Sequence, residues 1–402
     1  MRLWRPLRRK RGYRHHGLTD VEVRGLEHVA AATAAGQSVL ITPNHPSHAD
    51  PFALLEASDR LGTPFYFMTA WQVFAMTHRL GRRVLQQHGC FSINREGHDL
   101  RAFRFAVDVL KRGERPLVIF PEGEVFHLND RVTPFRRGAV TAALLAARRA
   151  QRQVACIPAG MKFLFVDNPL PDLLELTARL EAALGWSSRS GMSLEQRVRQ
   201  LIEGIVSLKE VAYLGRPQGG PFRERTTGLI AALLGRLEDR YRLDPADLTV
   251  PERVKRLRYH VIQRLENDLL TAAHREQCGR DLDDLFQVSQ VFSYPLDYLA
   301  GKPSLERLAE TLDKLEEDVL GVPTASARGR RRAVVAFGEP IVVTAESPIK
   351  PAAEKLTGQL QTRVQSLLDA MNETVEPLPA PLGVTPNLNA TRASLDGLIP
   401  AA

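Results

Sequence analysis

The heptapeptide NHPSHAD at positions 44–50 holds the residues best placed for chemistry. His45 and Asp50 lie five residues apart, directly after an apolar run at 38–42. A histidine that takes a proton from an alcohol needs a carboxylate to fix its tautomer and to stabilise the imidazolium that forms. This spacing lets both groups meet on one turn, so it predicts His45 as a general base and Asp50 as the residue that orients it.

A second polar turn, Phe120-Pro121-Glu122-Gly123, ends the apolar strand predicted at 117–120. Two polar turns at the ends of strands can face one cleft. We therefore expect Glu122 and Gly123 to lie close to His45, although a short polar turn by itself is also an ordinary loop feature.

The elements that must position these turns alternate between apolar runs and helical periodicity over residues 20–166. Strands are predicted at 38–42, 64–68, 90–94, 117–120 and 154–157, with two more at 333–337 and 341–343 after a long helical stretch. Because sheet strands need neighbours, the late pair should rejoin the first sheet. The sequence predicts an α/β fold with a central, mostly parallel sheet flanked by helices and a large all-helical insertion before the last strands.

Five segments follow from this interpretation. They are a basic arm (1–19), a discontinuous α/β domain (20–166 and 330–345), the helical insertion (167–329), a C-terminal helix (346–375) and a tail expected to be disordered (376–402).

Charge is concentrated at the amino end of the 402-residue chain, which has a formal net charge of +8. Residues 1–16 hold seven arginines and lysines and no acid. Such an arm could bind nucleic acid or stay solvated, but Trp4 among the arginines favours an anionic membrane surface. No apolar run is long enough to span a bilayer, and three scattered cysteines fit a reducing compartment. We predict a cytoplasmic protein, peripheral on the inner face of the membrane, with no nucleic-acid partner.

Four ordered motifs resemble those of the glycerolipid acyltransferase family, which includes 1-acylglycerol-3-phosphate acyltransferases. They are NHPSHAD at 44–50, FSINR at 91–95, FPEG at 120–123 and a strand ending in proline at 154–158. Two later fragments agree with the family, PFRRG at 134–138 and FGEPI at 337–341.

The resemblance implies an O-acyltransferase that moves a fatty acyl group from acyl-CoA or acyl carrier protein to the hydroxyl of a lysophospholipid, in the simplest case 1-acylglycerol 3-phosphate. His45 would be the general base and Asp50 its partner. Arg95 would bind the acceptor phosphate, because a guanidinium fork matches phosphate oxygens. Glu122 and Gly123 would shape the acceptor site. The resemblance implies no cofactor and no metal; the acyl carrier is a co-substrate.

The chain departs from the family after FPEG. Members often continue with a Thr-Arg-Ser type sequence that contacts phosphate, whereas Gly123 is followed here by Glu124-Val125-Phe126-His127. Arg136, or one of its neighbours Arg131 and Arg137, could supply the missing contact. The identity of the acceptor is open at this point.

Two alternatives stay open on the residues alone. In the first, the α/β part is a silent scaffold and the helical insertion binds a partner. In the second, His45, His48 and Asp50 are ligands of a metal-dependent hydrolase, although the order of these residues matches no metallohydrolase signature that we recognise.

Overall fold

A mixed β-sheet forms the centre of the computed structural model, which describes residues 5–94, 99–244, 248–266, 270–294, 296–344 and 348–375. Its eight strands within these ranges are β1 (Leu18–Arg24), β2 (Ser38–Pro43), β3 (Tyr66–Ala70), β4 (Cys90–Ile93), β5 (Leu117–Val118), β6 (Val154–Phe165), β7 (Arg331–Phe337) and β8 (Ile341–Val343).

The strand order is β1-β7-β6-β2-β5-β3-β4, and β8 also pairs with β6. The pairings are parallel except those of β6 with β7 and β8, which are antiparallel. The first part of β6 pairs with β8 and the rest pairs with β7. This arrangement confirms the predicted fold class, including the return of the two late strands to the first sheet.

Helices cover both faces of the sheet. Before the long helical stretch they are α1 (Arg5–His16), α2 (Leu26–Ala34), α3 (Asp50–Leu61), α4 (Trp71–Ala75), α5 (Arg79–Gln87), α6 (Leu100–Arg112) and α7 (Gly138–Ala150). Residues of α6 and α7 pack on one face with Leu40 of β2, whereas α2 and α3 pack on the other with Val39 and Ile41. Since both faces are covered, β2 is buried along its whole length and reads as one apolar run.

The predicted insertion is helical in the structure. It comprises α8 (Leu170–Ala183), α9 (Leu194–Leu214), α10 (Phe222–Tyr241), α11 (Val250–Leu265), α12 (Ala272–Phe292), a 3-10 helix (Leu296–Leu299) and α13 (Leu305–Leu320). A capping box between Ser193 and Gln196 begins α9, and Gly321 in the left-handed conformation ends α13. The helices form two cores, one of which also buries Phe126 and Leu128 from the loop after β5.

The ends of the chain differ from the sequence interpretation. Much of the basic arm forms α1, and the unpredicted strand β1 pairs with β7. Arginines of α1 pair with Glu56 and Asp59 of α3. The C-terminal helix α14 (Ile349–Thr374) packs against the α6–α7 side of the sheet and against the end of β6. The tail predicted at 376–402 lies outside the described residues. No helix in the described ranges combines the length and apolar character of a membrane span.

Candidate active site

The loop that carries His45 begins where β2 ends and finishes at Asp50, the first residue of α3. Strand β5 runs parallel to β2, so the turn after β5 emerges at the same edge of the sheet. Asn44 fixes the start of the loop to β6, because its side chain accepts a hydrogen bond from the Met161 N–H at 2.7 Å and donates one to the Met161 carbonyl at 3.0 Å. The sheet edge thus holds the loop in place.

His45 and Asp50 form a direct pair, with 2.6 Å between Nδ1 and Oδ2. The Asp50 side chain is fully buried, whereas 17% of the His45 side chain is exposed. Burial raises the pKa of Asp50 well above its usual range, although the Ser47 N–H donates to the same oxygen at 3.3 Å and lowers it. The imidazole also stacks on Phe120, with 4.1 Å between ring centroids. Local geometry therefore fixes both the position and the orientation of the ring.

Glu122 connects the two turns. Its Oε1 accepts the backbone N–H of His45 at 2.8 Å, and its Oε2 accepts the N–H of Thr133 at 3.1 Å and the Thr133 hydroxyl. Burial raises the pKa of Glu122 to about 7, and the three donors act against this shift. Because it binds His45 on one side and Thr133 on the other, the Glu122 side chain holds the histidine loop against the loop after β5.

Gly123 and Arg136 lie against each other. Gly123 has φ 82°, and a Cβ placed on it would lie 2.6 Å from Cζ of Arg136. The backbone N–H of Arg136 donates to the backbone carbonyl of Pro121 at 2.8 Å. This hydrogen bond brings the PFRRG segment back to the FPEG turn. Glycine is needed here both for the left-handed backbone and for the space that the guanidinium occupies.

The structure brings together five of the six residues predicted from the sequence: His45, Asp50, Glu122, Gly123 and Arg136. The sixth, Arg95, lies outside the described residues, so its contact with an acceptor phosphate stays a prediction.

His48 does not join His45 and Asp50 in a ligand set. Its Nε2 lies 3.1 Å from Oε1 of Glu317 on α13, and His127 Nε2 lies 3.1 Å from the other oxygen of the same carboxylate. Among the described residues, this trio is the group of histidines and acids close enough to hold a metal ion. His48 therefore connects the histidine loop to the helical region, and it does not lie with His45 and Asp50 as the hydrolase alternative required.

The sequence analysis did not predict that residues of the helical region lie beside the candidate site. Lys255 and Arg258 of α11 line a cleft together with Glu124 and Arg136. His127, which has φ 54°, follows FPEG closely and could have been noticed, but no spacing in the sequence signals Glu317, Lys255 or Arg258.

A comparison with known protein families agrees with the motif analysis. Residues 20–162 match the family model described as Acyltransferase. Among solved structures, the chain is similar to the 1-acyl-sn-glycerophosphate (LPA) acyltransferase PlsC from Thermotoga maritima, at 20% identity and a TM-score of 0.24. That match covers 35% of this chain and 49% of the Thermotoga protein, so it spans about half of that protein's length. No curated protein matches the chain. Residues 20–162, which include the His45–Asp50 pair, are therefore similar in sequence to the acyltransferase family.

Proposed function

We propose that the protein transfers a fatty acyl group from an acyl thioester to the hydroxyl of a lysophospholipid, with 1-acylglycerol 3-phosphate as the simplest acceptor. The observation that carries this proposal is the 2.6 Å pair of His45 and Asp50, partly open to solvent, in a region similar in sequence to the acyltransferase family. The donor would be acyl-CoA or acyl carrier protein, and no cofactor is required.

In the proposed reaction, Nδ1–H of His45 donates to Asp50, and Nε2 takes the proton of the acceptor hydroxyl. The oxygen attacks the thioester carbonyl, the carbon–sulfur bond breaks, and the imidazolium returns the proton to the leaving thiolate. Burial makes an isolated Asp50 carboxylate unfavourable, so this carboxylate is stabilised strongly when the ring beside it becomes positive. Asp50 thus favours the imidazolium at the moment when His45 takes the proton.

The surroundings of His45 support direct transfer without an acyl-enzyme. The sequence has no G-x-S-x-G elbow, and the heptapeptide contains no cysteine. Glu122 accepts a hydrogen bond from the backbone of His45. The guanidinium of Arg136 lies against Gly123, the residue that follows Glu122. A guanidinium in this position suits an anionic acceptor. We also propose that the protein works at the cytoplasmic membrane surface, where a lysophospholipid is available.

The experiment is acyl transfer by the purified full chain, with labelled acyl-CoA and a panel of lyso acceptors that differ in headgroup. His45→Ala and Asp50→Asn should each lower kcat/KM about 10²- to 10⁴-fold. His15→Ala, at an exposed position of α1, is the matched control and should keep the wild-type rate. Full activity of His45→Ala would disprove the assigned role. A wild-type protein inactive with every donor and acceptor would instead favour the silent-scaffold alternative.

A further inference from the structure

A cleft lies between the loop after β5 and helices α11 and α12. The acyltransferase domain contributes Glu124, Phe126 and Arg136 to its lining, and the helical region contributes residues that include Lys255 and Arg258. The two parts of the chain thus build one concave surface. Its basic side chains come from segments more than a hundred residues apart in sequence.

The charges in the cleft are unbalanced. Arg136, Lys255 and Arg258 face a single carboxylate of the lining, that of Glu124, whose Oε1 lies 3.7 Å from Arg136 Nη2 and 3.4 Å from Arg258 Nη1. Lys255 makes no ion pair within the described residues. Burial, and after it the positive charge of Arg136, lowers the pKa of Lys255, while the carboxylate of Glu252 on the same helix acts against this shift. Two guanidinium groups that share one carboxylate, beside a half-buried ammonium, present an excess of positive charge to whatever enters.

Apolar side chains make up much of the rest of the lining. Phe126 is buried and meets Phe292 of α12 edge to face, with 5.9 Å between ring centroids. Val254, on the same helix as Lys255, also lines the cleft. A ligand that fits this surface carries a negative group beside an aliphatic part.

From these observations we infer that Arg136, Lys255 and Arg258 bind a phosphate group of a substrate, so that the helical region completes the substrate site of the acyltransferase domain. The inference rests on the proposed function and specifies its substrate contacts. Guanidinium forks match phosphate oxygens, and a phosphate dianion balances the two excess cations. The phosphate belongs either to the acceptor or to the carrier of the acyl group, since both have a phosphate beside an aliphatic chain.

The position of the cleft fits this role. Glu122 accepts a hydrogen bond from the backbone N–H of His45. Glu124, which lines the cleft, is two residues further along the chain, so the Cα atoms of Glu122 and Glu124 are at most about 7 Å apart. Glu124 directly follows Gly123 and pairs with Arg258 of α11. The helical region supplies cations at the same place.

Binding can be measured without turnover. Isothermal titration of the full chain with CoA and with a short-chain 1-acylglycerol 3-phosphate would be compared for wild type, Lys255→Gln and Arg258→Gln. We expect each substitution to weaken binding of one of these ligands about tenfold. The ligand affected identifies the source of the phosphate. Arg256→Gln is the control, because Arg256 lies on the same helix but pairs with Glu238 and not with the cleft.

Glu124→Gln tests the same inference with the opposite sign. The substitution removes the carboxylate that competes with the ligand for Arg136 and Arg258, so phosphate binding should become about tenfold tighter. A gain of affinity cannot arise from misfolding, which keeps the test decisive if a cleft variant is unstable.

Two results separate the inference from the proposed function. If Lys255→Gln and Arg258→Gln remain folded and bind both ligands as wild type does, the cleft is not the phosphate site, even in an active acyltransferase. If the cleft variants lose binding while the wild type shows no acyl transfer, the proposed function is wrong and the phosphate site stands.

Discussion

At the scale of single residues, the candidate site depends on local geometry that the sequence reveals well. His45 and Asp50 meet because five residues separate them on one turn, and Glu122 reaches the same turn because β2 and β5 are adjacent and parallel. The sequence does not reveal which groups each of these side chains contacts. Glu122 was expected to shape the acceptor site, and in the structure its oxygens accept hydrogen bonds from His45 and Thr133.

Gly123→Ala should weaken binding of the phosphate-bearing substrate about tenfold, because the new Cβ would displace the guanidinium of Arg136. Gly62→Ala is a close control. Gly62 has φ 76°, similar to the 82° of Gly123, but a Cβ added there would meet no heavy atom within 4 Å. Both substitutions should lower the free energy of unfolding by about 1–3 kcal/mol through backbone strain. Only Gly123→Ala should change substrate affinity in titration, and equal affinities for both variants would contradict the role of Arg136.

Glu122 predicts a specific pH dependence of stability. Its pKa is about 7 in the folded protein and about 4.3 in an unfolded chain, so between these values the unfolded state loses a proton that the folded state keeps. The free energy of unfolding should therefore fall as pH rises through this window, by about 4 kcal/mol in total. Urea unfolding from pH 4 to pH 8 would show this fall in wild type but not in Glu122→Gln. Parallel curves would mean that the three donors keep Glu122 ionised throughout.

At the scale of elements, periodicity and turn residues identify most strands and helices but not their contacts. Strand β1 was missed because its LTDVEVR sequence has only weak apolar character, and it becomes a strand by pairing with β7. Strand β6 extends well beyond the predicted 154–157. Pro158 does not end it, because this residue falls between the part of β6 that pairs with β8 and the part that pairs with β7. The face of α11 that reaches the active-site loop depends on long-range packing, which periodicity alone cannot supply.

The contact of α13 with the loops after β2 and β5 should stabilise the protein. Glu317 accepts hydrogen bonds from His48 and His127, and although burial acts to raise its pKa, these two contacts lower it below the usual range. Glu317→Gln should lower the free energy of unfolding at pH 7 by about 1–3 kcal/mol. Because a lowered carboxyl pKa stabilises the folded state only above the unfolded pKa of about 4.3, the difference from wild type should shrink as pH falls below that value.

This comparison would use urea unfolding in EDTA, so that no metal ion contributes at the His48–His127–Glu317 group. Glu276→Gln on α12 removes an exposed carboxylate that pairs with Arg280 on the same helix, and it should have little effect at any pH. An unchanged stability of Glu317→Gln at pH 7 would show that the contact between α13 and the loops contributes nothing measurable.

At the scale of the whole molecule, the basic amino end divides into two groups. Arg5, Arg8 and Arg9 pair with Glu56 and Asp59, so their charge serves to attach α1 to α3. A second group, Lys10, Arg11 and Arg14, is exposed and makes no ion pair with the described residues. Composition predicted an excess of positive charge at this end but could not tell which cations the protein itself neutralises.

Membrane attachment should therefore depend on the second group. Each basic residue near an anionic leaflet contributes about 1 kcal/mol, so the triple variant Lys10→Gln, Arg11→Gln and Arg14→Gln should bind anionic vesicles about a hundredfold more weakly. Binding should also decrease as salt increases, because these charges are exposed. Sedimentation with vesicles of defined phosphatidylglycerol content would measure both effects. A triple variant at Arg264, Arg275 and Arg280 makes the same change in net charge on exposed positions of α11 and α12. If that control weakened binding equally, overall charge and not the surface of α1 would determine attachment.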